Sequence, residues 1–447
     1  MEEKNSEKKE RKMRDSGIPW IGEVPEGWGV SPLKYNYNII AGATPDSTKQ
    51  GFWDGNIKWI TPADYKTKDV YVSSGKRNLT SAGYKACSTH MLPKASIVIS
   101  KRAPIGSVAI TASDLCTNQG CLGLVAKNKF VNNKYFYYVL SIYDDVLNLY
   151  GSGTTFKEIS ANVFSNIDFP LPSVAIQNSI ADYLDSKCSE IDALIENLHA
   201  RMESAKEYKK AVITKAVTKG LDKDVKMKDS GVEWIGDIPE GWKVVKLKQY
   251  IKNVSSGLSA VTSDSSEDSG KYILRTSAVS SEKFIESEVK SVTKQAESRL
   301  ICPVEADTVI MSRMNTSAMV GACAYVARNY ENLFVPDKLW KIKFTLELSA
   351  KYAWYLINSA PIRGWFSSIS TGASASMQNI SLTDFYNAYA PIPRLIEQRQ
   401  ISDYLDSKCS EIDALLQNYE DQIVTLEEYK KSLIYEYVTG KKEVPET

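Results

Sequence analysis

Apolar residues recur at every seventh position in two separate stretches of this chain, and polar residues fill most positions between them. This spacing predicts two long amphipathic helices, each about 40 residues or about 60 Å in length. A helix of that length with a single apolar stripe needs a partner helix. The stripes consist of Leu184, Ile191, Leu198, Ala205 and Val212 in the first stretch and of Leu405, Ile412, Tyr419, Leu426 and Leu433 in the second.

The two predicted helices belong to an internal duplication. The segment DYLDSKCSEIDAL at 182–194 recurs unchanged at 403–415, and DSGIPWIGEVPEGW at 15–28 returns as DSGVEWIGDIPEGW at 229–242. Identity of this extent indicates one unit written twice. We expect the two helices to pair in antiparallel orientation, as an approximate two-fold axis requires. The alternative is that each helix docks separately on its own globular domain.

The segments between these repeats do not align with each other over most of their length, so a shared frame carries two different domains. Both domains have short β-rich runs between Gly, Ser and Asn turns, and both have helical patterns. The predicted fold class is α+β, with two mixed α/β domains joined by two long antiparallel helices in a pseudo-two-fold duplicated chain. Predicted strands lie at 95–100, 107–111 and 323–327, and predicted shorter helices at 135–149 and 349–358.

Proline-bracketed entries before each long helix and a charged linker after the first one mark the boundaries. The predicted segments are a disordered leader (1–14), a first variable domain (15–170), the first long helix with the start of the linker (171–220), the linker (221–228), a second variable domain (229–391), the second long helix (392–440) and a tail (441–447).

Composition narrows the class of protein. The chain has 447 residues, of which 43% are hydrophobic, and no apolar run approaches the length that crosses a bilayer. We therefore predict a protein that does not contact a membrane. Its 7 cysteines form no CxxC pair, which favours a reducing compartment, the cytoplasm of a microbe, over a disulfide framework.

The net charge of +1 conceals an uneven distribution. Lys and Arg outnumber Asp and Glu in 29–170 and in 243–390, whereas the reverse holds in 394–440. Basic domains on a neutral or acidic helical frame suit a polyanion that touches only the domains. Ordinary surface variation is the alternative.

Residues for catalysis are missing. The chain has 2 histidines, neither with a Cys or His partner at metal-ligand spacing, so neither a zinc site nor a His-based triad is predicted. It also lacks a GxxxxGK[ST] phosphate loop and a GxGxxG turn. We predict no catalytic residues and no metal site in this chain.

Candidate nucleic-acid contacts follow the predicted strands. SKRAPIG at 100–106 places Lys101 and Arg102 at a strand exit, where long cations can reach phosphates or base edges, and we match Arg313 of SRMNTSAMVG with Arg102. Surface ion pairs are the alternative. Amides at Asn118 and Gln119 can contact adenine or can satisfy local backbone.

Two Gly- and Ser-rich loops, at 150–160 and 370–381, allow close approach to phosphate or cap the following helix. Aromatic residues near the basic loops are candidates too, although core packing is the more common role of such residues. The complete set of candidate DNA contacts is Trp59, Thr61, Tyr65, Lys101, Arg102, Asn118, Gln119, Ser152, Thr154, Thr155, Lys157, Arg275, Thr276, Arg313, Asn315, Ser374, Ser376 and Gln378.

These residues together resemble the specificity subunit of a type I restriction and modification enzyme. The resemblance rests on WIGxxPxGW at the start of each half, a Gly-rich loop ending in IS, P-x-P followed by a glutamine, IDxL, and a long helix ending in YKKAVITKAVTKG or YKKSLIYEYVTGK. It covers residues 15–440. One departure is Ile176, which stands where the second copy has Glu397, and we interpret it as variation at the helix entry.

The resemblance implies two target recognition domains that each read one half of a split, asymmetric sequence in double-stranded DNA. It also implies a chain without its own cofactor, because S-adenosylmethionine and ATP with Mg belong to the partner subunits. Two methylation subunits would bind the helical frame, and restriction subunits would join where the system has them. The candidate subunit-interface residues are Leu184, Ile191, Leu198, Leu405, Ile412 and Leu426.

Two other functions remain open at this point. A chain that itself methylates or cuts DNA would be active with cofactor and without a second polypeptide. A coiled-coil adaptor that never touches nucleic acid would show no salt-dependent affinity for duplex DNA. The bases that are read, the spacer between them and the presence of a restriction subunit do not follow from the sequence.

Overall fold

The computed structural model describes residues 11–65, 70–102, 104–153, 157–258, 268–374 and 377–445. The contacts divide the chain into two compact units. Unit 1 is Met1–Leu198 with Asp421–Thr447, and unit 2 is His199–Glu420. Both boundaries fall inside a long helix, so each unit combines one variable domain with the first half of one helix and the second half of the other.

The elements of the first half of the chain alternate between short strands and short helices before one long helix. The strands are β1 (Met13–Ile18), β2 (Gly22–Pro25), β3 (Gly29–Pro32), β4 (Tyr37–Ala41), β5 (Trp53–Ile60), β6 (Tyr71–Val72), β7 (Arg77–Leu79), β8 (Ile97–Ser100), β9 (Val108–Thr111), β10 (Cys116–Thr117), β11 (Cys121–Ala126) and β12 (Asp168–Leu171). The helices are α1 (Leu33–Asn36), α2 (Ser81–Lys85), α3 (Asn133–Ser141), α4 (Asp144–Tyr150), α5 (Ala161–Ser165) and α6 (Val174–Lys219).

The second half also consists of short strands and short helices before one long helix. The strands are β13 (Met227–Asp229), β14 (Asp237–Pro239), β15 (Lys243–Lys246), β16 (Ile251–Ser255), β17 (Asp268–Leu274), β18 (Val289–Thr293), β19 (Thr308–Ser312), β20 (Met314–Asn315), β21 (Cys323–Val326), β22 (Leu333–Phe334), β23 (Leu339–Phe344), β24 (Thr371–Ser374), β25 (Met377–Asn379) and β26 (Tyr389–Ile392). The helices are α7 (Ala350–Asn358), α8 (Ala360–Ile369), α9 (Leu382–Asn387) and α10 (Leu395–Val438).

Each variable domain is built on a central sheet and a smaller sheet beside it. In unit 1 the central sheet has the order β4-β11-β8-β9-β6 and the small sheet the order β10-β5-β7. Unit 2 has β16-β23-β19-β21 and β18-β17-β22 in the same roles. The central strands β8 and β19 are buried at every position, which explains their continuous apolar character.

A buried glutamine ties each long helix to its own domain. The side-chain amide of Gln177 donates to the carbonyl of Pro172 (2.8 Å), and its oxygen accepts from the backbone N–H of Asn132 (2.7 Å). Gln398 makes the equivalent contacts with Pro393 (3.0 Å) and Ser349 (2.9 Å). Both side chains are fully buried, so these hydrogen bonds satisfy polar groups at the helix entry.

The long helices pack in antiparallel orientation within each unit. In unit 1, Asp192 of α6 pairs with Lys430 of α10 (2.7 Å). Earlier in α6, Tyr183 contacts Tyr437, which lies later in α10 (3.2 Å between the hydroxyls). The prediction that the two long helices pair with each other is therefore confirmed, and the alternative that each docks separately on its own domain is not what the structure has.

The same ion pair recurs in unit 2. There Lys209 of α6 contacts Asp413 of α10 at 2.6 Å. The domains also hold the returning helix, because the hydroxyl of Tyr135 contacts the carbonyl of Val438 (2.9 Å) and that of Tyr352 contacts the carbonyl of Val217 (3.2 Å). Each variable domain is thus fastened to both long helices.

Three local expectations differ from the structure. The predicted helix at 135–149 is two helices, because α3 ends before Ile142 and α4 begins at Asp144. Met13 and Arg14 of the predicted leader belong to β1, which pairs with β2 and so satisfies their backbone groups. The variation at Ile176 also has a structural consequence, since the indole nitrogen of Trp28 is buried and has no hydrogen-bond partner in the described part of the chain.

Candidate nucleic-acid interface

The first predicted contact surface is the turn that follows β8. The N–H of Lys101 donates to the carbonyl of Gly120 (2.8 Å), and its carbonyl accepts from the N–H of Ile159 (2.9 Å). The side chains of Lys101 and Arg102 both contact Glu158, at 2.8 Å each. The hydrogen bond from Lys101 is the largest cause that lowers the pKa of Glu158 below its ordinary value. These two predicted cations therefore share an internal counterion.

The equivalent turn in unit 2 corrects one sequence match. The carbonyl of Arg313 accepts from the N–H of Ile380 (3.0 Å), as that of Lys101 accepts from the equivalent isoleucine. Arg313 therefore corresponds to Lys101, and our match of Arg313 with Arg102 is wrong by one position. The Nε of Arg313 donates to the carbonyl of Asp337 (3.0 Å), so part of this guanidinium is already engaged.

The predicted amides form the turn between β10 and β11. The side-chain oxygen of Asn118 accepts from the N–H of Gly120 (2.9 Å) and lies 3.3 Å from the sulfur of Cys121. Gln119 is hydrogen-bonded to Thr44 through its side chain. Asn118 is thus engaged in local turn contacts, the alternative that the sequence left open, whereas Gln119 lies at the surface beside Thr44.

The predicted aromatic contacts lie in the core. Trp59 is 7% exposed, and its indole donates to a backbone carbonyl (3.0 Å). Tyr65 is 3% exposed, and its hydroxyl contacts Cys121 (3.1 Å). Neither ring is available for stacking on a base, so the expectation that they contact DNA is wrong. Thr61 is half-buried and bonds through its hydroxyl to Asp64 (2.9 Å).

The Gly- and Ser-rich loop of unit 1 is partly described. Ser152 and Glu158 exchange backbone hydrogen bonds of 3.0 and 2.9 Å, which close the loop. Lys157, beside this pair, is exposed. The candidates Thr154 and Thr155 lie outside the described residues.

The corresponding segment of unit 2 belongs to a third, three-stranded sheet with the order β20-β25-β24, separate from the small sheet β18-β17-β22. Asn315 of β20 pairs with Gln378 of β25, and its amide donates to the hydroxyl of Ser312 (3.3 Å). The backbone of Ser374 belongs to β24. Ser376 lies outside the described residues. The structure therefore brings two of these candidates, Asn315 and Gln378, onto adjacent strands.

Arg275 and Thr276 follow the central strand of the small sheet in unit 2. The backbone N–H of Arg275 donates to the carbonyl of Glu288 (2.9 Å), while its side chain is exposed and makes no ion pair within the described residues. Thr276 is half-buried at the start of a 3₁₀ turn. Arg275 is therefore the predicted cation of unit 2 that the chain leaves accessible.

Two exposed cations that sequence reasoning missed occupy matching positions in the small sheets. Arg77 of β7 lies opposite Trp59 of β5, and Lys290 of β18 lies opposite Ile273 of β17. The guanidinium of Arg77 stacks on the ring of Trp53 at 3.9 Å from its centroid. No motif marks either residue, because their equivalence depends on strand register, which the diverged sequences hide.

The predicted subunit-interface residues are mostly buried within this chain, with Leu426 half-buried. The buried ones stabilise the helix packing inside the units and are not free for another subunit, so that expectation is corrected for them, while Leu426 stays a prediction. The buried ones are Leu184, Ile191, Leu198, Leu405 and Ile412. Other apolar residues of the same two helices are exposed, at matching positions of the repeat: Leu194 with Leu415, and Tyr208 with Tyr429.

The described part of the chain has neither a membrane-spanning helix nor a metal-binding cluster. None of its helices is both long and apolar enough to cross a membrane. Within the same residues, no cluster of three or more His, Cys, Asp or Glu side chains is placed to hold a metal ion.

Comparison with known proteins gives one family. The model of the type I restriction modification DNA specificity domain matches this chain twice, at residues 25–204 and 239–424. The two matches correspond to the two copies of the internal duplication.

Curated relatives and a solved structure agree with that match. The specificity subunit of the type I restriction enzyme MjaIX from Methanocaldococcus jannaschii is 33% identical over 54% of this chain and 55% of its own length, so the aligned region spans about half of that relative. The EcoKI specificity subunit from Escherichia coli is 18% identical over 94% of this chain and 90% of its own length. A chain solved in a study of complex assembly and conformational transition of the type I R-M system matches with a TM-score of 0.71 at 15% identity, over 94% of this chain and 99% of that one.

Proposed function

The chain belongs to the family of type I restriction modification DNA specificity proteins, and we propose that it is the subunit that selects the DNA sequence for such a complex. Its target is double-stranded DNA with two unlike half-sites. The domains at 15–170 and 229–391 each read one half-site. The observation that carries this proposal is that the two long helices and their attachments repeat, even in single hydrogen bonds such as those of Gln177 and Gln398, while the two attached domains differ.

Chemistry in this complex belongs to the partner subunits. The methylation subunits would supply S-adenosylmethionine and transfer its methyl group to adenine, and restriction subunits, where present, would use ATP and Mg to drive cleavage. This chain would position both activities on DNA and needs no cofactor of its own.

Two methylation subunits would bind the helical frame. The exposed pairs Leu194 with Leu415 and Tyr208 with Tyr429 support this number, because each half of the repeat offers the same apolar side chains. Exposed apolar residues that recur at equivalent positions are typical of a surface that binds one kind of partner twice.

We place this complex in the cytoplasm. Its substrate would be chromosomal DNA, and the 7 free cysteines of the chain are typical of a reducing compartment.

The experiment that tests this function maps modified adenines genome-wide in cells that express the chain with its methylation subunit. We expect one bipartite motif with a constant spacer. Exchange of residues 243–387 for those of another family member should change one half-site and leave the other unchanged. Loss of both half-sites after the exchange, from a complex that still assembles, would contradict independent reading by two domains.

A further inference from the structure

The small sheet of each variable domain carries an exposed cation at the same place in the strand register. Trp59 of β5 is flanked by Cys116 of β10 on one side and by Arg77 of β7 on the other. Ile273 of β17 has the equivalent central position, with Lys290 of β18 beside it. Arg77 and Lys290 are therefore structural equivalents, although their surrounding sequences do not align.

Neither cation has a counterion among the residues that the structure describes. Within the described residues, Arg77 and Lys290 make no ion pair, whereas Lys101 and Arg102 both contact Glu158. At the edge near Arg77, Asp64 uses its carboxylate to accept from the backbone N–H groups of Thr61 (2.8 Å) and Lys76 (3.2 Å). An unpaired cation binds an external anion without first breaking an internal ion pair.

The position of Arg77 is also fixed. Its guanidinium lies 3.9 Å from the centroid of the Trp53 ring, and Trp53 is packed edge-on against Trp59. A guanidinium held on an aromatic face keeps its N–H edge directed outward and loses little conformational freedom on binding. Lys290 has no aromatic partner within the described residues, so its role depends on charge alone.

We infer that Arg77 and Lys290 are paired phosphate contacts, one in each recognition domain, which anchor the small sheets on the DNA backbone. Their equivalence supports phosphate over base edges, because two domains that read unlike half-sites have only the backbone in common. Each contact lies beside a predicted contact segment, since Thr61 and Arg275 follow the central strands opposite these cations. The inference rests on the proposed DNA-reading function.

Salt dependence of DNA binding tests this assignment. The full-length chain is titrated by fluorescence anisotropy with a labelled duplex of mixed sequence at several NaCl concentrations between about 50 and about 300 mM. We expect Arg77→Gln and Lys290→Gln each to flatten the slope of log Kobs against log[NaCl] by about 0.9, and the double variant by about twice that. Arg77→Lys keeps the charge and should retain a slope close to that of the wild type.

The control is Lys94→Gln, an exposed lysine before β8, at the opposite end of that strand from Lys101. It should leave the slope unchanged. If Arg77 only packs on Trp53, Arg77→Gln lowers the melting temperature but keeps the wild-type slope. Wild-type slopes for both Arg77→Gln and Lys290→Gln would overturn the inference. A wild-type chain without salt-dependent DNA affinity would instead contradict the proposed function itself.

Discussion

The indole nitrogen of Trp242 donates a hydrogen bond of 2.9 Å to the carboxylate of Glu397, whereas the indole nitrogen of the equivalent Trp28 is buried and has no hydrogen-bond partner among the described residues. The difference follows from one residue, because Ile176 occupies in the first copy the position of Glu397 in the second. The two copies share a frame, yet within the described residues this tryptophan has a hydrogen bond to the helix entry in unit 2 and not in unit 1.

Replacement of Glu397 by Ile should therefore convert the unit 2 connection into that of unit 1. We expect a loss of about 1–3 kcal/mol, the cost of a buried donor left without an acceptor. Hydrogen exchange of the peptides around Trp242 measures the effect locally. Exchange that stays at the wild-type rate would show that the hydrogen bond adds no stability there. Ile176→Glu is the converse variant and should slow exchange around Trp28.

The buried glutamine at each helix entry should be far more costly to remove. In Gln398→Ala, the carbonyls of Glu347 and Pro393 and the N–H of Ser349 each lose their partner, and a cavity forms. We expect a destabilisation of at least about 3 kcal/mol, measured by urea unfolding. The matched control is Gln400→Ala on the exposed face of the same turn, which should stay within about 0.5 kcal/mol of the wild type.

Sequence periodicity predicted the long helices well, because a heptad stripe reports directly on helix packing. The same stripe was assigned both to this helix pairing and to a subunit interface, and the burial of Leu184 and Leu405 within the chain leaves them only the first role. The break in the helix at 135–149 lacks a Gly or Pro signal at Ile142.

The contact residues were harder to predict than the frame. Lys101 and Arg102 were placed at a strand exit, and the structure places them there, but their counterion Glu158 lies in a loop distant in sequence. Strand register, which one diverged sequence does not reveal, is also what makes Arg77 equivalent to Lys290. Pairing between distant segments therefore limits how far such sites can be predicted.

Glu282 gives a pH dependence of stability. Burial is the largest cause that raises the pKa of its carboxyl above the ordinary value. A raised folded-state pKa means that the folded chain favours the protonated acid, so its stability contribution is present below the unfolded pKa and is lost as pH rises through the folded pKa. We expect Glu282→Gln to raise the urea midpoint at pH about 8 and to lose this advantage near pH 4, below the unfolded-state pKa of about 4.3.

Glu286 is the control for the direction of this pH dependence, because its pKa is shifted the opposite way. The hydrogen bond from Arg328 lowers its pKa, so Glu286→Gln should reduce stability above the unfolded pKa and should have no effect once pH falls below the folded pKa. Equal midpoints for Glu282→Gln and the wild type across this range would show that water relieves the burial of Glu282.

The exposed tyrosines of the long helices test the number of methylation subunits. Tyr208 is 60% exposed in unit 2 and Tyr429 is 56% exposed at the equivalent position in unit 1. A tyrosine at the centre of an interface commonly contributes more than 1 kcal/mol, so alanine in its place should weaken that interface by about tenfold or more. Native mass spectrometry of the chain with its methylation subunit, at a concentration near the wild-type Kd, measures how many methylation subunits are bound. We expect two on the wild type, mostly one on Tyr208→Ala or Tyr429→Ala, and none on the double variant.

The control is Tyr35→Ala, which removes an exposed tyrosine from a variable domain and should retain two bound methylation subunits. Two copies bound to the double variant with wild-type affinity would exclude these helix faces as the methylation surface, because both recurring tyrosines would then be absent without effect.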